Sequence, residues 1–407
     1  MKRHALAAGL LVLSCDSGGS PTDADGSSGA ASSSSSSSSS GGVSGSSAGT
    51  ATSSAESTSG AETSGGDSES TTEDDTTTSS STDGSTDAAS SSTGASTIEC
   101  PDAPASLTRW QVGNDDDAQV DPTGPALILM GGGPDVDEAF AAAFPYAAGG
   151  DAVVLRASGS DGYNDYFLDD IGGLDSVETL LIDQPSLADD PYVACRVEQA
   201  EVVWFAGGDQ AAYMEAFSGS AVAAAVDAVH ARGGVVGGTS AGLAILGEHV
   251  FAAYEGTVYP DEVLEDPYNQ YMTLDAGPFA LPALARVITD SHFYERDRMA
   301  RLVGFVARLV EDDVEPDALG VGIDEATALL IGPDAEGTVY GDGYVYVLAA
   351  AGLPQQCAPG MLLTYQDLPL WRLIAGDTVS LQPDVEASVE AGTVGASEGV
   401  IVPANPY

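Results

Sequence analysis

Apolar segments of strand length alternate with helical segments through the first half of the domain. The strand-like segments are PALILMGGG (125–133), DAVVLRAS (151–158), VETLLID (177–183), EVVWFAGGDQ (201–210) and GGVVGGTS (233–240). VDEAFAAAF (136–144) and the alanine-rich residues 211–231 have helical composition and length. Strands that alternate with helices in this way predict a doubly wound, mainly parallel α/β sheet.

The pattern continues towards the C-terminus with less regular spacing. ARVITD (285–290) predicts another strand, residues 297–312 predict a helix, and GVGIDEATALLIG (320–332) predicts one apolar strand with an acidic pair at its middle. GTVYGDGYVYVLAA (337–350), with its GDG turn, predicts a C-terminal antiparallel hairpin. The sequence of residues 375–407 does not indicate their role.

Composition divides the chain into three parts. Residues 1–15 have a basic start and a short apolar run ending at Cys15. This predicts an export signal, and the sequence VLSC resembles the lipobox of bacterial lipoproteins, with Cys15 as the lipidated residue. Residues 16–99 are rich in Ser, Thr, Gly and Ala, with 13 acidic and no basic residues, which predicts a disordered acidic linker. Residues 100–407 have the composition of a globular domain.

The charge of the chain argues against two classes of partner. The formal net charge is −50, and the domain contains 10 Arg against 49 Asp and Glu. Such a surface repels nucleic acid and anionic lipid, so we expect membrane attachment through a lipid anchor only. The acidity is equally consistent with a general solubility strategy and with attraction of arginine-bearing substrates.

The cysteines of the domain predict a disulfide and no metal site. Cys100, Cys195 and Cys357 lack the spacing of zinc ligands, and we expect neither a metal nor a cofactor. One disulfide and one free thiol fit an exported protein. A Cys100–Cys357 bridge would fix the N-terminal arm, although the sequence does not determine the pairing.

Ser240 lies in GTSAG, which matches G-x-S-x-G at the end of a predicted strand. In a nucleophile elbow, glycines at 238 and 242 permit the sharp reversal of the chain, and the N–H of Ala241 points towards the reacting carbonyl. A following helix would add positive potential at its N-terminus. The alternative is an ordinary glycine-rich loop. Glycine turns also end the strands at 131–133 and 207–210, so one sheet edge would carry all three.

A serine nucleophile needs a base, and the histidines can be separated by position. His4 is in the signal, His230 ends a surface helix, and His249 follows the elbow by about two helical turns. His292, just after the strand 285–290, is the remaining candidate. Asp324 and Glu325 are the candidates for the acid that orients it, with Asp290 as a competitor. Three arginines follow His292 closely, and they suit either recognition of a substrate carboxylate or charge balance with neighbouring acids: Arg296, Arg298 and Arg301.

Four ordered motifs resemble those of the cyanophycinases: WFAGGDQ, GGTSAG, DSHFYERDRMARL and GVGIDEATALLI, within residues 125–350. The resemblance implies a flavodoxin-like, class I glutamine-amidotransferase-like fold. It also implies Ser240 as nucleophile, His292 as base and Glu325 as orienting acid. The implied oxyanion hole is formed by Gly208, Asp209 and Ala241. The positions matching the substrate-binding set are Gln210, Asp290, Ser291, Arg296, Arg298 and Arg301.

The resemblance also implies a substrate and a product. The substrate is cyanophycin, a poly-aspartate with arginine on each side-chain carboxylate, and the products are β-Asp-Arg dipeptides. Ser291 departs from the glutamine that is common in the family motif, which puts the identity of the substrate in question. The signal and linker predict a form exported to the cell surface or secreted, and a homodimer is possible. The alternatives are another aspartyl-dipeptide peptidase, an exported α/β serine esterase and a non-catalytic tethered binding domain. In an esterase the histidine usually follows the acid, and no histidine follows His292.

Overall fold

The computed structural model describes residues 99–407. The predicted signal segment, Cys15 and the linker up to residue 98 lie outside the described residues.

The domain contains 18 strands and seven α-helices. The strands up to the elbow are β1 Thr108–Gly113, β2 Ala126–Met130, β3 Asp151–Arg156, β4 Ser176–Leu181, β5 Val202–Phe205 and β6 Val235–Thr239. The later strands are β7 His249–Phe251, β8 Leu274–Ala276, β9 Val287–Asp290, β10 Leu319–Ile323, β11 Thr327–Ile331, β12 Glu336–Gly341, β13 Val345–Ala349, β14 Tyr365–Leu373, β15 Thr378–Ser380, β16 Glu386–Ala387, β17 Gly392–Ser397 and β18 Val400–Val402. The helices are α1 Asp137–Ala143, α2 Pro191–Gln199, α3 Gln210–Phe217, α4 Ala221–Ala231, α5 Ala241–Ala244, α6 Pro260–Glu265 and α7 Met299–Glu311.

The first sheet confirms the predicted α/β architecture. Its ten strands run in the order β1-β4-β3-β5-β6-β2-β11-β12-β15-β16, and the five strands from β4 to β2 are parallel. Along β2, Leu127 and Leu129 enter one hydrophobic cluster, while Ile128 and Met130 enter another. Because alternate side chains of a strand point to opposite faces, both faces of this sheet are buried. Helices α2 to α5 cover the first cluster and α1 the second, so the sheet is doubly wound.

The three glycine turns follow three neighbouring strands. β5, β6 and β2 lie side by side in the sheet, so their carboxyl ends meet at one edge. Residues 131–133, 207–210 and 240–242 therefore converge, as expected for ligand sites of doubly wound sheets.

The second sheet carries His292 to the same edge. Its strands run β18-β17-β14-β13-β10-β9-β7-β8, with β9 parallel to both β7 and β10. The chain leaves this sheet after β10, crosses at 324–326 and enters the first sheet as β11. It returns across 342–344 from β12 to β13, where the Tyr344 N–H donates to Asp324 Oδ2 at 2.9 Å.

These two crossings correct two predictions. Residues 320–332 form two strands of different sheets, and the acidic pair lies in the connection between them rather than inside one strand. Residues 337–350 contain both expected strands, but they do not form a hairpin, since β12 pairs with β11 and β15 while β13 pairs with β10 and β14. Each strand is apolar enough to be buried, and apolarity does not indicate which sheet receives it.

The helical segments also differ from the prediction at two points. The segment 211–231 is two helices, because Gly219 takes φ +73° and the Ser220 hydroxyl accepts the Ala223 N–H at 3.2 Å as the N-cap of α4. The elbow helix α5 has only four residues, so His249 does not follow it on the same helix and instead begins β7. Any helix-dipole contribution at Ser240 is correspondingly small.

The disulfide joins Cys100 to Cys195, so the Cys100–Cys357 pairing is wrong. The N-terminal arm continues into β1, which pairs with β4 at the edge of the first sheet, and Cys195 lies on α2, over the same part of that sheet. Cys357 is a buried free thiol in the core of the second sheet, where burial raises its pKa to about 12.

Residues 375–407 extend both sheets. They contribute β15 and β16 to the edge of the first sheet, and β17 and β18 to the edge of the second. Among residues 99–407, no helix has the length and apolarity needed to cross a membrane.

Candidate active site

Ser240 lies at a sharp turn between β6 and α5. Its backbone has φ +55° and ψ −116°, a conformation that non-glycine residues rarely adopt. The Ser240 N–H donates to the Met130 carbonyl at 3.1 Å, which ties the turn to the end of β2. The turn presents the Ser240 hydroxyl above the strand ends. Strain of this kind is concentrated at functional sites.

The glycines on either side of Ser240 are required by contact. A Cβ on Gly238 would lie 2.5 Å from the Gly242 carbonyl carbon, and a Cβ on Gly242 would lie 2.1 Å from the Phe205 carbonyl oxygen. Both distances are shorter than any real Cβ contact. The sequence argument for glycine at 238 and 242 therefore agrees with the packing of the turn.

The His292 ring contacts the Ser240 hydroxyl, with 2.8 Å between Nε2 and Oγ. The His292 backbone has φ +46°, and its N–H donates to the Gly131 carbonyl at 2.7 Å. The next residue, Phe293, is buried in the core of the second sheet. His292 is therefore held between the first glycine turn and the second core.

Glu325 contacts the other side of the imidazole, with Oε1 2.6 Å from His292 Nδ1. Asp324 does not reach the ring: its carboxylate accepts the N–H groups of Tyr294 and Tyr344, both at 2.9 Å. Burial raises the pKa of Asp324 to about 6. Glu325 is therefore the acid that contacts His292, whereas Asp324 binds backbone N–H groups of the neighbouring segments.

Asp290, the remaining candidate for the acid, is buried beside the arginines. Its Oδ2 accepts from Arg301 Nε at 2.8 Å, and its Oδ1 accepts from Arg301 Nη2 at 2.5 Å and from Arg298 Nη1 at 3.1 Å. Although burial opposes its ionisation, the two guanidinium groups lower the pKa of Asp290. Asp290 is thus an ionised anchor for two arginines.

Gly132 and Gly133 pack directly on the acid–base pair, and the sequence argument did not assign them a role. A Cβ on Gly132 would lie 2.4 Å from His292 Cε1, and a Cβ on Gly133 would lie 2.9 Å from Glu325 Oε2. The Gly132 carbonyl accepts the Ala326 N–H at 2.9 Å. The GGG turn at the end of β2 could have indicated this contact, because glycine often occurs where the backbone approaches another group closely.

Ala241 and the 207–210 turn lie beside the Ser240 hydroxyl. A Cβ on Gly207 would be 3.5 Å from Ser240 Cβ and 3.9 Å from Oγ, so Gly207 is the glycine of this turn that passes over the serine. Within the described residues, the N–H groups of Gly208, Asp209 and Ala241 donate to no protein acceptor. The Asp209 carboxylate caps α3 through the Ala211 N–H at 3.0 Å.

A cavity of about 990 Å³ opens beside this turn. Its lining includes four of the residues predicted to bind substrate, together with Gly208 and Asp209: Gln210, Arg296, Arg298 and Arg301. Lining residues that the sequence argument did not predict include Ser158, Phe251, Tyr254, Thr257 and Tyr259. Phe251 ends β7, and Tyr254, Thr257 and Tyr259 lie between β7 and α6, a segment that carries no recognisable motif.

The predicted binding residues differ in how free their side chains are. The Gln210 amide donates to the Phe251 carbonyl. Arg301 is 3% exposed and also donates to Thr257 Oγ1 at 2.9 Å. The Arg298 guanidinium donates to the Ser291 carbonyl at 2.6 Å. Only Arg296 of the three is exposed, and in residues 99–407 its guanidinium has no ion-pair or hydrogen-bond partner.

The surroundings of His292 favour its neutral form. Burial lowers its pKa, the hydrogen bond that Nδ1 donates to Glu325 raises it, and the positive charges of Arg296 and Arg298 lower it further, so that the net shift is downward. A neutral imidazole accepts a proton from a hydroxyl. Ser240, His292 and Glu325 thus form a continuous series of contacts at the turn that follows β6.

Comparison with known proteins supports the resemblance seen in the motifs. No family model matches the sequence. The cyanophycinases of Trichormus variabilis and of a Nostoc species are each 31% identical over 215 residues, covering 51% of this chain and 66% of the relative. The cyanophycinase of Synechococcus elongatus is 30% identical over 187 residues, covering 46% of this chain and 52% of the relative. A crystal structure of a peptidase from an acI-B1 Actinobacterium matches 64% of this chain with a TM-score of 0.44 and 18% identity.

The chain is thus a homologue of the cyanophycinases, as the four motifs indicated. The match spans just under two thirds of the length of the first of these relatives.

Proposed function

We propose that this protein is a serine-type peptidase in which Ser240 is the nucleophile, His292 the general base and Glu325 the orienting acid. One observation carries the proposal: the continuous contact from Ser240 Oγ to His292 Nε2 at 2.8 Å and from His292 Nδ1 to Glu325 Oε1 at 2.6 Å. The strained turn at Ser240 and the cyanophycinase relatives support it. Such contacts between nucleophile, base and orienting group mark activated serines in general.

In the proposed reaction, His292 takes the hydroxyl proton as Ser240 attacks the peptide carbonyl. Glu325 accepts a hydrogen bond from Nδ1, which keeps Nε2 free to receive that proton and stabilises the imidazolium that forms. The unpaired N–H groups of Gly208, Asp209 and Ala241 are the donors available to the oxyanion. His292 then protonates the departing amine, and water hydrolyses the ester on Ser240.

We extend the proposal to the substrate class: cyanophycin or a related peptide of aspartate and arginine. The relatives are named for cyanophycin, and the cavity carries Arg296, whose free guanidinium suits a substrate carboxylate. Each arginine of such a polymer carries a guanidinium group, which suits an acidic surface, and a free carboxylate. Ser291 is buried, and its hydroxyl lies 3.5 Å from Arg298 Nη1, so the shorter residue contacts this arginine.

The test combines a covalent probe with a product analysis. A fluorophosphonate is expected to label the parent protein and not Ser240→Ala, which excludes a binding domain. Incubation with insoluble cyanophycin is expected to release β-Asp-Arg, detected by mass spectrometry. Labelling without dipeptide release would reject this substrate and retain a hydrolase, with isoaspartyl dipeptides and short esters as the next substrates to assay.

We also propose that the protein is exported and anchored through Cys15. The Cys100–Cys195 disulfide supports an oxidising compartment, where such bonds persist. Labelling of cells with a radioactive fatty acid is expected to mark the parent and not Cys15→Ser. Equal labelling of both proteins would reject the anchor.

Replacement of Gly132 by alanine is expected to lower kcat by about 100-fold. The new Cβ would overlap the His292 ring, and a displacement of about 1 Å in a catalytic group costs this much. The backbone at Gly132 has φ +101°, so some loss of stability is expected as well. Steady-state kinetics and thermal unfolding of the same preparation separate the two effects.

The control is Gly173→Ala. Gly173 has a similar φ of +87°, but a Cβ there would meet nothing within 4 Å. It should lose stability without losing kcat. A Gly132→Ala enzyme that keeps kcat within threefold of the parent would show that the ring tolerates the contact.

The pH profile of kcat/KM is expected to rise through a midpoint below 6.5, the ordinary value for histidine, because His292 acts in its neutral form and its pKa is lowered. Arg296→Gln removes one of the positive charges that lower this pKa, so the midpoint should move to higher pH. The profile is measured with a dipeptide anilide or with cyanophycin fragments.

Arg308→Gln serves as the matched control, since Arg308 pairs with Asp312 near the far end of α7. Its midpoint should equal that of the parent. A midpoint that stays in place or moves down in Arg296→Gln would contradict the electrostatic role of Arg296.

A further inference from the structure

Glu248, His249 and Glu315 form a second cluster of polar side chains, apart from Ser240. Each offers one donor atom, and the three atoms lie within 4.8 Å of one another. Glu248 precedes β7 and His249 begins it, while Glu315 lies in the connection between α7 and β10. The cluster thus joins two segments that are distant in sequence.

His249 is the unusual member of this cluster. The residue is 8% exposed, and its Nε2 has no hydrogen-bond partner within residues 99–407. Its nearest carboxylate oxygen is Glu315 Oε2 at 3.8 Å, which is beyond hydrogen-bond distance. Buried polar atoms are nearly always satisfied, so a buried, unpaired ring nitrogen facing a carboxylate indicates a missing partner.

The two carboxylates are held in place with their charges uncompensated. Glu248 Oε2 accepts the Arg286 N–H, and Glu315 Oε1 accepts the Asp317 N–H at 3.2 Å, which leaves Glu315 Oε2 facing His249. Arg286 does not neutralise them, because its guanidinium donates to the carbonyls of residues 317, 381 and 383. In the described part of the chain, neither Glu248 nor Glu315 pairs with an arginine.

We propose that Glu248, His249 and Glu315 bind a divalent transition-metal ion of the Zn²⁺ class. A neutral imidazole with two carboxylates suits Zn²⁺, whereas Ca²⁺ and Mg²⁺ prefer oxygen donors alone. Tetrahedral bonds of about 2.0–2.1 Å place ligand atoms roughly 3.4 Å apart, so side-chain movements of about 1 Å close the site. Water completes the coordination.

The site is separate from Ser240 and acts on stability. Arg286, which holds Glu248, precedes β9, and His292 follows that strand at its other end. Six residues at about 3.3 Å each put roughly 20 Å between these positions. A bound ion would tie the start of β7 to the segment that leads into β10, and a ligand bound only by the folded state raises its stability.

Zinc binding to chelator-treated full chain, measured by calorimetry, tests the proposal. We expect one high-affinity Zn²⁺ per chain and a rise in the unfolding temperature of about 5 °C at a hundredfold excess over Kd. His249→Gln and Glu315→Gln should each weaken this binding at least 30-fold, with peptide hydrolysis in the absence of zinc unchanged. Co²⁺ should give a visible absorption band that His249→Gln removes.

His292→Gln is the control, because His292 is a buried histidine in direct contact with a carboxylate and offers zinc a competing site. This variant is expected to keep the high-affinity site and the rise in unfolding temperature. Zinc affinity that survives in His249→Gln, or that is lost in His292→Gln, would overturn the proposal. So would displacement of zinc by equimolar Ca²⁺, since that indicates general attraction to the acidic surface. The binding, absorption and unfolding measurements do not depend on the identity of the peptidase substrate.

Discussion

Ser240→Ala is expected to lower kcat by at least 10⁴-fold and to abolish labelling by a fluorophosphonate. In the proposed reaction the hydroxyl forms the covalent intermediate, and alanine would leave His292 with no group to deprotonate. The remaining activity would come from binding and oxyanion stabilisation alone. Rates are measured as dipeptide release under single-turnover conditions, with labelling read from the intact mass.

The stability of the fold provides the first control for this variant. Ser240 has φ +55°, and alanine at this position keeps the same strained turn. The unfolding temperature of Ser240→Ala should therefore stay within a few degrees of the parent. A second control, Ser291→Ala, removes a neighbouring buried hydroxyl that does not contact Nε2 and should keep labelling. Full hydrolysis by Ser240→Ala would assign the reaction to another nucleophile.

Glu325→Gln is expected to lower kcat by about 10² to 10³-fold. The change keeps the size of the side chain but removes the charge that stabilises the imidazolium. The Glu325 side chain is 34% exposed, so water replaces part of the lost stabilisation and the effect is smaller than for a buried acid. The remaining activity should show its acid limb at lower pH, because the hydrogen bond that His292 donates to Glu325 raises the pKa of His292.

Glu138→Gln provides the comparison for the loss of one carboxylate near the same sheet edge. Glu138 is exposed in the first turn of α1 and does not contact His292. It should keep both kcat and the pH midpoint. An unchanged kcat in Glu325→Gln, or an acid limb that moves to higher pH, would reject the orienting role of Glu325.

Local chemistry made much of the site predictable. The turn at Ser240 requires glycine at 238 and 242 whatever surrounds it, so the five-residue motif indicates its own geometry. His292 follows from the small number of histidines and from the strand that precedes it. The choice between Asp324 and Glu325 could not be made in the same way. The directions of these adjacent side chains depend on the conformation of the connection at 324–326, which the sequence pattern does not indicate.

The other errors have a common physical origin. The turn at 131–133 was expected at the edge of the site, but Gly132 was assigned no role from the sequence, because its contact with His292 joins residues 160 positions apart. The arginines looked equivalent in sequence, yet Asp290 binds two of them and leaves Arg296 exposed. The disulfide partner of Cys100 depended on which sheet edge receives β1.

The sequence by itself determined the alternation of strands and helices, the parallel core and the elbow, because these follow from periodicity and from glycine at fixed positions. Only the tertiary structure decided that the segments 320–332 and 337–350 each pass between two sheets, and that this crossing brings Glu325 to His292. The reason is that burial selects apolar strands without selecting their neighbours. Pairing between distant segments depends on the packing of the whole domain.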